Sequence, residues 1–188
     1  MKNMELPFIK DMFEAIAPRY DLLNRLLSLR QDVYWRRLMV SVMELPDNGK
    51  VLDVACGTGD VAFEILRQKG LGIRVFGVDF SPGMLVLAKN KIRDAISCPG
   101  FSKPSEFGKY PNIYLIAGNA FHLPFKKETF DAITIAFGIR NIRDKLSALK
   151  VFHDSLKPGG MLFVLELATP RKDYYYHFIF FILKKFFP

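Results

Sequence analysis

The sequence predicts an α/β protein: a Rossmann-like, doubly wound and mainly parallel sheet preceded by N-terminal helices. Two observations lead to this class. Beyond residue 50, short apolar runs alternate with segments of helical periodicity. The first run leads directly into the glycine-rich turn Cys56–Asp60, which is typical of the loop after the first strand of such a sheet. The chain has 188 residues, enough for one domain of this kind.

Helices are predicted in the N-terminal part of the chain. Apolar residues recur at roughly helical spacing over residues 6–17, and Pro18 ends that segment. Two further amphipathic helices are expected over Leu22–Leu29 and Val33–Met43. The expected apolar face of the latter consists of Trp35, Leu38 and Val42. The turn-forming run at 46–49 then separates these helices from the sheet.

Strands and helices alternate after this break. The predicted strands are Val51–Ala55, Arg74–Val78, Ile113–Ala117, Phe130–Phe137 and Met161–Leu167. The predicted helices are Thr58–Gln68, Ser81–Ala95, Lys145–Leu156 and an aromatic last helix, Asp173–Phe187. The segment 97–111 holds three prolines and two glycines, so we expect a surface loop there. One domain follows, with a helical cover (1–47), a Rossmann-like core (48–170) and a last helix (171–188).

Composition and charge narrow the function classes. The formal net charge of +8 favours an anionic partner such as a membrane surface or nucleic acid. A plain solvated basic surface explains it as well, because the charge is spread along the chain. The two cysteines, Cys56 and Cys98, belong to no C-x-x-C pair or Cys/His cluster, so we expect no metal site. The absence of a disulfide framework and of an apolar signal segment in the first 20 residues predicts a cytoplasmic protein.

The glycine loop is compatible with two cofactors. Its residues Gly57 to Ala62 fit the pattern G-x-G-x-x-G/A, and Asp79 follows Gly59 by twenty positions, as in dinucleotide-binding proteins. A carboxylate at Asp53 or Asp60 would repel the pyrophosphate of NAD but attract the ammonium of S-adenosylmethionine (SAM). Asp79 accepts bonds from ribose hydroxyls in either case. A glycine turn without any ligand is the remaining alternative.

Four separate segments should converge at one edge of the sheet. The glycine loop, Asp79, Asn119 and the segment 137–141 each follow the carboxyl end of a predicted strand. In open α/β sheets, ligands bind at this edge. The sequence therefore predicts one ligand site formed by all four segments.

Several motifs resemble those of a known enzyme family. The run VLDVACGTGD resembles motif I of class I SAM-dependent methyltransferases, and Gly118-Asn119-Ala120 resembles their third-strand motif. The turn LKPGG resembles the one before their fifth strand. The run APRYDLLN at 17–24 and the run AFGIRN at 136–141 are similar to the signatures of the UbiE/MenG/COQ5 family. Those enzymes C-methylate the ring of ubiquinone and menaquinone precursors, and the resemblance covers nearly the whole chain.

The resemblance implies a cofactor, a substrate and a set of site residues. The cofactor is SAM, and its expected contacts are Asp53, Gly57, Thr58, Gly59, Asp79, Phe80, Met84, Asn119, Ala120 and Ala136. The substrate is a quinol with an isoprenoid tail, and its expected contacts are Tyr20, Asn24, Phe137, Arg140 and Asn141. Arg140 and Tyr20 are the expected catalytic residues. No nucleic-acid partner is expected.

Catalysis requires a proton to leave the quinol, because a ring carbon is a poor nucleophile until a neighbouring phenol is ionised. Arg140 would hold the quinol oxygen or order a water that takes the proton; the alternative is an arginine that braces a loop. Tyr20 would face Arg140 or simply pack. Glu166 contacts substrate or braces the pocket, and His122 is interpreted as a solvated loop residue rather than a base.

The chain departs from the family at its C-terminal end. Family members continue beyond the last helix, so the resemblance implies that the final strands are lacking here and that the edge of the fifth strand is exposed, which invites association into a homodimer. The aromatic segment beside Lys184 and Lys185 would serve as a contact with the inner face of an anionic membrane, or as a core face. Three other functions remain open: a methyltransferase for a different small molecule, a non-catalytic membrane- or RNA-binding module, and an NAD oxidoreductase.

Overall fold

A computed structural model of the chain describes residues 20–96, 112–167 and 178–184. The predicted helix over 6–17 and the predicted loop over 97–111 lie outside these residues. The helices are α1 (Tyr20–Leu27), α2 (Gln31–Ser41), α3 (Asp60–Lys69), α4 (Pro82–Ile96) and α5 (Lys145–Ser155), with a 3₁₀ turn at Ile139–Asn141. The strands are β1 (Lys50–Val54), β2 (Arg74–Asp79), β3 (Ile113–Ala117), β4 (Phe130–Ala136), β5 (Leu156–Leu167) and β6 (Phe178–Lys184).

The six strands form one sheet in the order β3-β2-β1-β4-β5-β6. The first five strands in this order are parallel, which confirms the predicted mainly parallel α/β class. The strand order changes direction between β1 and β4, and that reversal opens a crevice at the carboxyl ends of the strands. Asp53 on β1 lies at this position, paired in register with Gly77 on one side and Thr134 on the other.

Apolar clusters cover both faces of the sheet. Successive strand residues point to opposite faces, and Val51 and Leu52 accordingly belong to different buried clusters. The cluster around Val51 includes residues of α2 and α3, and the cluster around Leu52 includes Phe152 of α5. The doubly wound arrangement is thus confirmed. Among the helices of the described ranges, none is both long and apolar enough to cross a lipid bilayer.

The prediction of a last helix over 173–187 is wrong for residues 178–184, which form strand β6 antiparallel to β5. The segment FIFFILK is dense in aromatic and β-branched residues, which favour strands, and β5 offers it a free row of backbone donors and acceptors. Val164 is paired with Phe181 in this register. The expectation of an exposed β5 edge, and of a sheet without any final strand, is corrected by the same pairing.

The predicted apolar face of α2 is also wrong in part. Leu38 and Val42 are 45% and 42% exposed, whereas Met39 and Val40 are fully buried. The buried face also carries a charged pair, in which Arg36 donates to Asp32 over 2.6 Å. Polar residues on a buried face break the apolar periodicity, so the sequence pattern pointed to the wrong side of the helix.

Candidate functional site

The glycine loop between β1 and α3 has left-handed backbone angles at both glycines. The φ angle is +53° at Gly57 and +81° at Gly59, a region that glycine adopts without steric cost. A Cβ atom on Gly57 would meet no atom within 4 Å, so space is available beside the loop. A Cβ on Gly59 would lie 3.2 Å from the Cβ of Ala88, which shows how closely α4 packs under the loop. The loop therefore presents its backbone at an open surface, as a ligand loop requires.

The carboxylate of Asp79 ties the end of β2 to this loop. The backbone N–H of Gly57 donates to its Oδ2 atom over 2.8 Å, and the N–H of Ser81 donates to its Oδ1 atom over 2.9 Å. Burial raises the pKa of Asp79, while its backbone hydrogen bonds act in the opposite direction. The backbone of Phe80 is a third hydrogen-bond partner of this carboxylate, so of its roughly four lone-pair positions about one remains for a hydroxyl donor.

The carboxyl group of Asp53 lies beneath the loop and is 1% exposed. Thr134 Oγ1 donates to its Oδ1 atom over 2.7 Å, but its Oδ2 atom has no hydrogen-bond partner among the described residues. Burial, together with the charges of Asp79 and Asp60, raises the pKa of Asp53 to about 7. An unpaired buried carboxylate oxygen is costly. The donor that would satisfy this oxygen best is a cation, and an ammonium group fits this requirement.

The carboxylate of Asp60 is already paired. Lys91 Nζ lies 2.5 Å from Asp60 Oδ1, and Arg36 lies 3.5 Å from Asp60 Oδ2. The charge of Asp60 therefore does not discriminate between a phosphate and an ammonium ligand, contrary to the expectation from sequence. The electrostatic argument against NAD rests on Asp53.

Lys91 on α4 contacts three other residues in a polar cluster. We call this cluster the lysine clamp; its members are Asp21, Thr58, Asp60 and Lys91. Besides its contact with Asp60, Lys91 Nζ lies 2.5 Å from Asp21 Oδ2 and donates to Thr58 Oγ1 over 2.9 Å. Thr58 Oγ1 in turn donates to Asp21 Oδ1 over 2.7 Å. The Thr58 hydroxyl is thus engaged within the protein, so a contact from Thr58 to a cofactor would involve its backbone. Sequence reasoning missed Lys91.

The loop after β4 carries backbone strain where it meets the N-terminal helices. Phe137 has a φ angle of +57°, a region that non-glycine residues rarely adopt and that often marks functional sites. The guanidinium carbon of Arg36 lies 5.3 Å from the centre of the Phe137 ring, and the Trp35 ring centre lies 6.4 Å away. Phe137 therefore packs against α2, as expected for a residue at the boundary between cover and core.

Gly138 lets the loop after β4 touch the loop after β1. A Cβ atom at this position would lie 2.7 Å from the Cβ of Ala55, a distance that real Cβ atoms do not adopt. Ala55 itself has a φ of +53°. The glycine of the FGIRN segment is thus required by the close approach of two loops at the strand-order reversal.

Arg140 and Glu166 form an ion pair at the carboxyl ends of β4 and β5. One guanidinium nitrogen of Arg140 donates to Glu166 Oε1 over 2.5 Å, and its backbone N–H donates to Oε2 over 3.1 Å. The Arg140 side chain is 49% exposed, whereas that of Glu166 is 15% exposed. Of the two interpretations of Glu166, this geometry favours the bracing one: Glu166 fixes a guanidinium that still reaches solvent.

Several of the other predicted contacts follow the strands at this edge. Asn119 follows β3, and its Oδ1 atom accepts from the N–H of Phe121 over 3.0 Å. Met84 is buried near the start of α4, and Phe80 precedes it. Further predicted residues at this edge are the half-buried Ala120 and Ala136 and the exposed Asn141. Asn24 is half-buried on α1, and Tyr20 is the first residue of that helix. His122 is exposed, as expected for a loop residue.

Comparison with known proteins identifies relatives whose names all describe methyltransferases. The sequence profile of the ubiE/COQ5 methyltransferase family matches residues 1–188. A ubiquinone/menaquinone biosynthesis C-methyltransferase UbiE from Citrifermentans bemidjiense is 42% identical over 94% of this chain and 72% of its own. A demethylmenaquinone methyltransferase from Lactiplantibacillus plantarum is 38% identical over 90% of this chain and 67% of its own. Among the curated relatives at 42–45% identity, the chain spans 59–72% of their length.

Solved structures support the fold independently. A SAM-dependent methyltransferase from Aquifex aeolicus matches with a TM-score of 0.66 at 18% identity, covering 86% of this chain and 76% of that one. At this identity the likeness concerns the fold alone. The family profile, in contrast, spans all residues of the sequence, and the chain therefore belongs to the ubiE/COQ5 methyltransferase family.

Proposed function

We propose that this chain is a SAM-dependent C-methyltransferase that acts on the ring of a polyprenyl quinol, demethylmenaquinol or 2-polyprenyl-6-methoxy-1,4-benzoquinol. The observation that carries the cofactor assignment is the orphaned Oδ2 atom of Asp53 beneath the glycine loop. The names of the relatives and the family membership of the chain support the substrate class.

The described residues offer a complementary partner for each polar part of SAM. Asp53 would accept a hydrogen bond from the ammonium group, and Asp79 would accept one from a ribose hydroxyl at its remaining acceptor position. The backbone of Gly57, Thr58 and Gly59 would line the ligand where a Cβ at position 57 would find open space. When bound, SAM supplies an electrophilic methyl group on a sulfonium centre.

The adenine would lie between the ends of β2, β3 and β4. Phe80 and Met84 follow β2, Asn119 and Ala120 follow β3, and Ala136 ends β4. Apolar side chains provide contact area for the flat base, and an amide can read its polar edge. These five residues complete the proposed cofactor site.

Arg140 would hold the quinol oxygen next to the reacting ring carbon. A guanidinium cation at this position can stabilise the phenolate that makes the ring carbon nucleophilic. Glu166 fixes the orientation of that guanidinium through two hydrogen bonds. Tyr20 would complete the proton path, with water as the final acceptor. Asn24, Phe137 and Asn141 would position the ring.

The exposed face of α1 supports access to a lipid-soluble substrate. Leu22 and Leu26 are each 67% exposed, and Leu27 is 81% exposed, with the exposed Arg25 and Arg30 beside them. An apolar face flanked by arginines suits an anionic membrane surface. We propose peripheral attachment there, which sedimentation with vesicles containing phosphatidylglycerol would test; no co-sedimentation at low salt would refute the attachment.

Two measurements test the proposed function. Calorimetric titration with S-adenosylhomocysteine (SAH), which keeps the ammonium and the ribose, should give a micromolar Kd, and no binding at high micromolar ligand would refute the cofactor assignment. Methylation of demethylmenaquinol with a shortened tail should exceed methylation of simple phenols. Equal activity on both would favour a different small-molecule substrate, and an NADH titration serves as the negative control.

A further inference from the structure

The lysine clamp connects the N-terminal cover to the cofactor loop. Its members come from three places in the chain: Asp21 on α1, Thr58 and Asp60 at the glycine loop and the start of α3, and Lys91 in the middle of α4. Lys91 Nζ and Asp21 Oδ2 thus lie 2.5 Å apart, although the two residues are 70 positions apart in the sequence. Since α1 also carries Tyr20 and Asn24, the clamp connects the helix of these proposed quinol contacts to the loop of the proposed cofactor contacts.

The hydrogen-bond capacity of Lys91 is fully used in the clamp. An ammonium group has three N–H donors, and Lys91 Nζ has three acceptors, on Asp21, Asp60 and Thr58. Burial alone would raise the pKa of Asp21, but hydrogen bonds from Lys91 and Thr58 and the charge of Lys91 outweigh it, so the pKa is lowered. The side chain of Lys91 is 27% exposed and those of Asp21 and Asp60 are 26% and 23% exposed, so water screens these contacts only partly.

Removal of the lysine would leave two carboxylates facing each other across the position of one ammonium group. Asp60 would keep a second cation, Arg36, at 3.5 Å. Asp21 would keep the Thr58 hydroxyl and the charge of Arg25, which lies on α1 itself and does not connect the helix to the loop. The repulsion would therefore act mainly on α1, whose outer face is exposed.

We propose that Lys91 is a positioning residue that holds α1 against the cofactor loop, so that the quinol contacts on α1 are assembled only while the clamp is closed. The proposal rests on the proposed function for its effect on methyl transfer, but not for its effect on α1. Lys91 bonds to the side chain of Thr58, whose proposed cofactor contact is made by its backbone, and it contacts neither Asp53 and Asp79 nor the Arg140–Glu166 pair.

Lys91→Met is the primary variant, and Lys89→Met on the exposed side of the same helix is its matched control. In Lys91→Met, kcat/KM for the quinol should fall at least about tenfold, the size expected for lost charge-assisted bonds. The Kd for SAH should change by less than about threefold, because Asp53 and Asp79 are untouched. Lys91→Arg keeps the charge but not the compact ammonium with its three donors, so its kcat/KM should lie between those of Lys91→Met and the unmodified chain.

A double variant separates repulsion from misfolding. Lys91→Met combined with Asp21→Asn removes the repulsion between positions 21 and 60, and Asn can still accept from Thr58, so it should recover most of the lost kcat/KM. A general loss of fold would not be repaired by a second substitution. A double variant that is worse than Lys91→Met would overturn the proposal.

Hydrogen exchange supplies a measurement that does not depend on activity. Amides of α1 should exchange at least about tenfold faster in Lys91→Met, while those of α5 should not change. Unchanged α1 exchange, or an SAH Kd that rises as much as kcat/KM falls, would overturn the clamp. If the unmodified chain methylates no quinol, the proposed function fails, and the exchange data still decide the clamp by the same criterion.

Discussion

The substitution Asp53→Asn tests whether the carboxylate of Asp53, whose Oδ2 atom has no hydrogen-bond partner among the described residues, binds a cation. It keeps the size of the side chain and an acceptor for Thr134 Oγ1, but removes the negative charge. The pKa of Asp53 is about 7 in the folded protein and near 3.8 in the unfolded chain. Between these pH values the folded protein holds a proton on Asp53 that the unfolded chain has released. The contribution of protonated Asp53 to the free energy of unfolding is therefore lost as the pH rises from about 4 to 7.

The magnitude follows from the difference of about three pKa units. Each unit corresponds to about 1.4 kcal/mol, so ionised Asp53 destabilises the fold by about 4 kcal/mol at pH 8. Asp53→Asn resembles the protonated form and escapes this penalty. Its advantage in free energy of unfolding should widen by about 2–3 kcal/mol between pH 5 and pH 8. The same substitution should weaken SAH binding about 10- to 100-fold, because the ammonium loses a charge-assisted hydrogen bond.

Urea unfolding at the two pH values, combined with SAH calorimetry, measures both effects. Asp47→Asn, in the exposed turn before β1, is the matched control and should alter the free energy of unfolding by less than about 0.5 kcal/mol at either pH. A constant difference between Asp53→Asn and the unmodified chain would refute the reasoning about charge. Unchanged SAH affinity would refute the ammonium role.

Three further predictions concern the other parts of the site. Asp79→Ala should raise the SAH Kd at least about tenfold, because the ribose loses its acceptor and the N–H of Gly57 loses its partner; an unchanged Kd in calorimetry would exclude the ribose role. Gly138→Ala should lower the free energy of unfolding by about 1–3 kcal/mol, since a methyl group cannot fit against Ala55; an unshifted urea midpoint would contradict this. Glu166→Gln should reduce kcat for the quinol about tenfold, because Arg140 would be misplaced, and it should leave SAH affinity unchanged. Steady-state kinetics and calorimetry measure the two quantities, and a loss of both kcat and SAH affinity would indicate a purely structural effect instead.

Most of the sheet could be predicted from sequence because buried parallel strands appear as short apolar runs. The strand Ile113–Ala117 was located residue for residue, and helix α4 was located to within one residue. Strand β6 was not predicted, because an aromatic run is compatible with a helix and with a strand alike. The strand forms because its backbone pairs with that of β5, a contact that the local sequence pattern does not contain. The prediction of the apolar face of α2 was wrong because the buried face of this helix carries the charged residues Asp32 and Arg36.

The candidate site was predictable where residues lie near a strand end in a known spacing, as do Asp53, Asp79 and Asn119. Lys91 was not, since its partners Asp21 and Asp60 lie far away in sequence and a single lysine on a helix gives no local signal. The need for glycine at position 138 likewise depends on a contact across the sheet, with Ala55. The sequence pattern thus locates the loops at the strand ends, while the contacts that hold those loops together appear only in three dimensions.

The hydrogen bond from Gly57 to Asp79 has a consequence for the entropy of binding. Because this bond fixes the loop backbone before any ligand arrives, little conformational freedom remains to be lost on association. A cofactor would therefore meet a preorganised loop, and the backbone around Gly57 should differ by less than about 1 Å between the free and bound states. The carboxylate of Asp79, which we propose as the ribose acceptor, thus also holds the backbone of the glycine loop in place through Gly57.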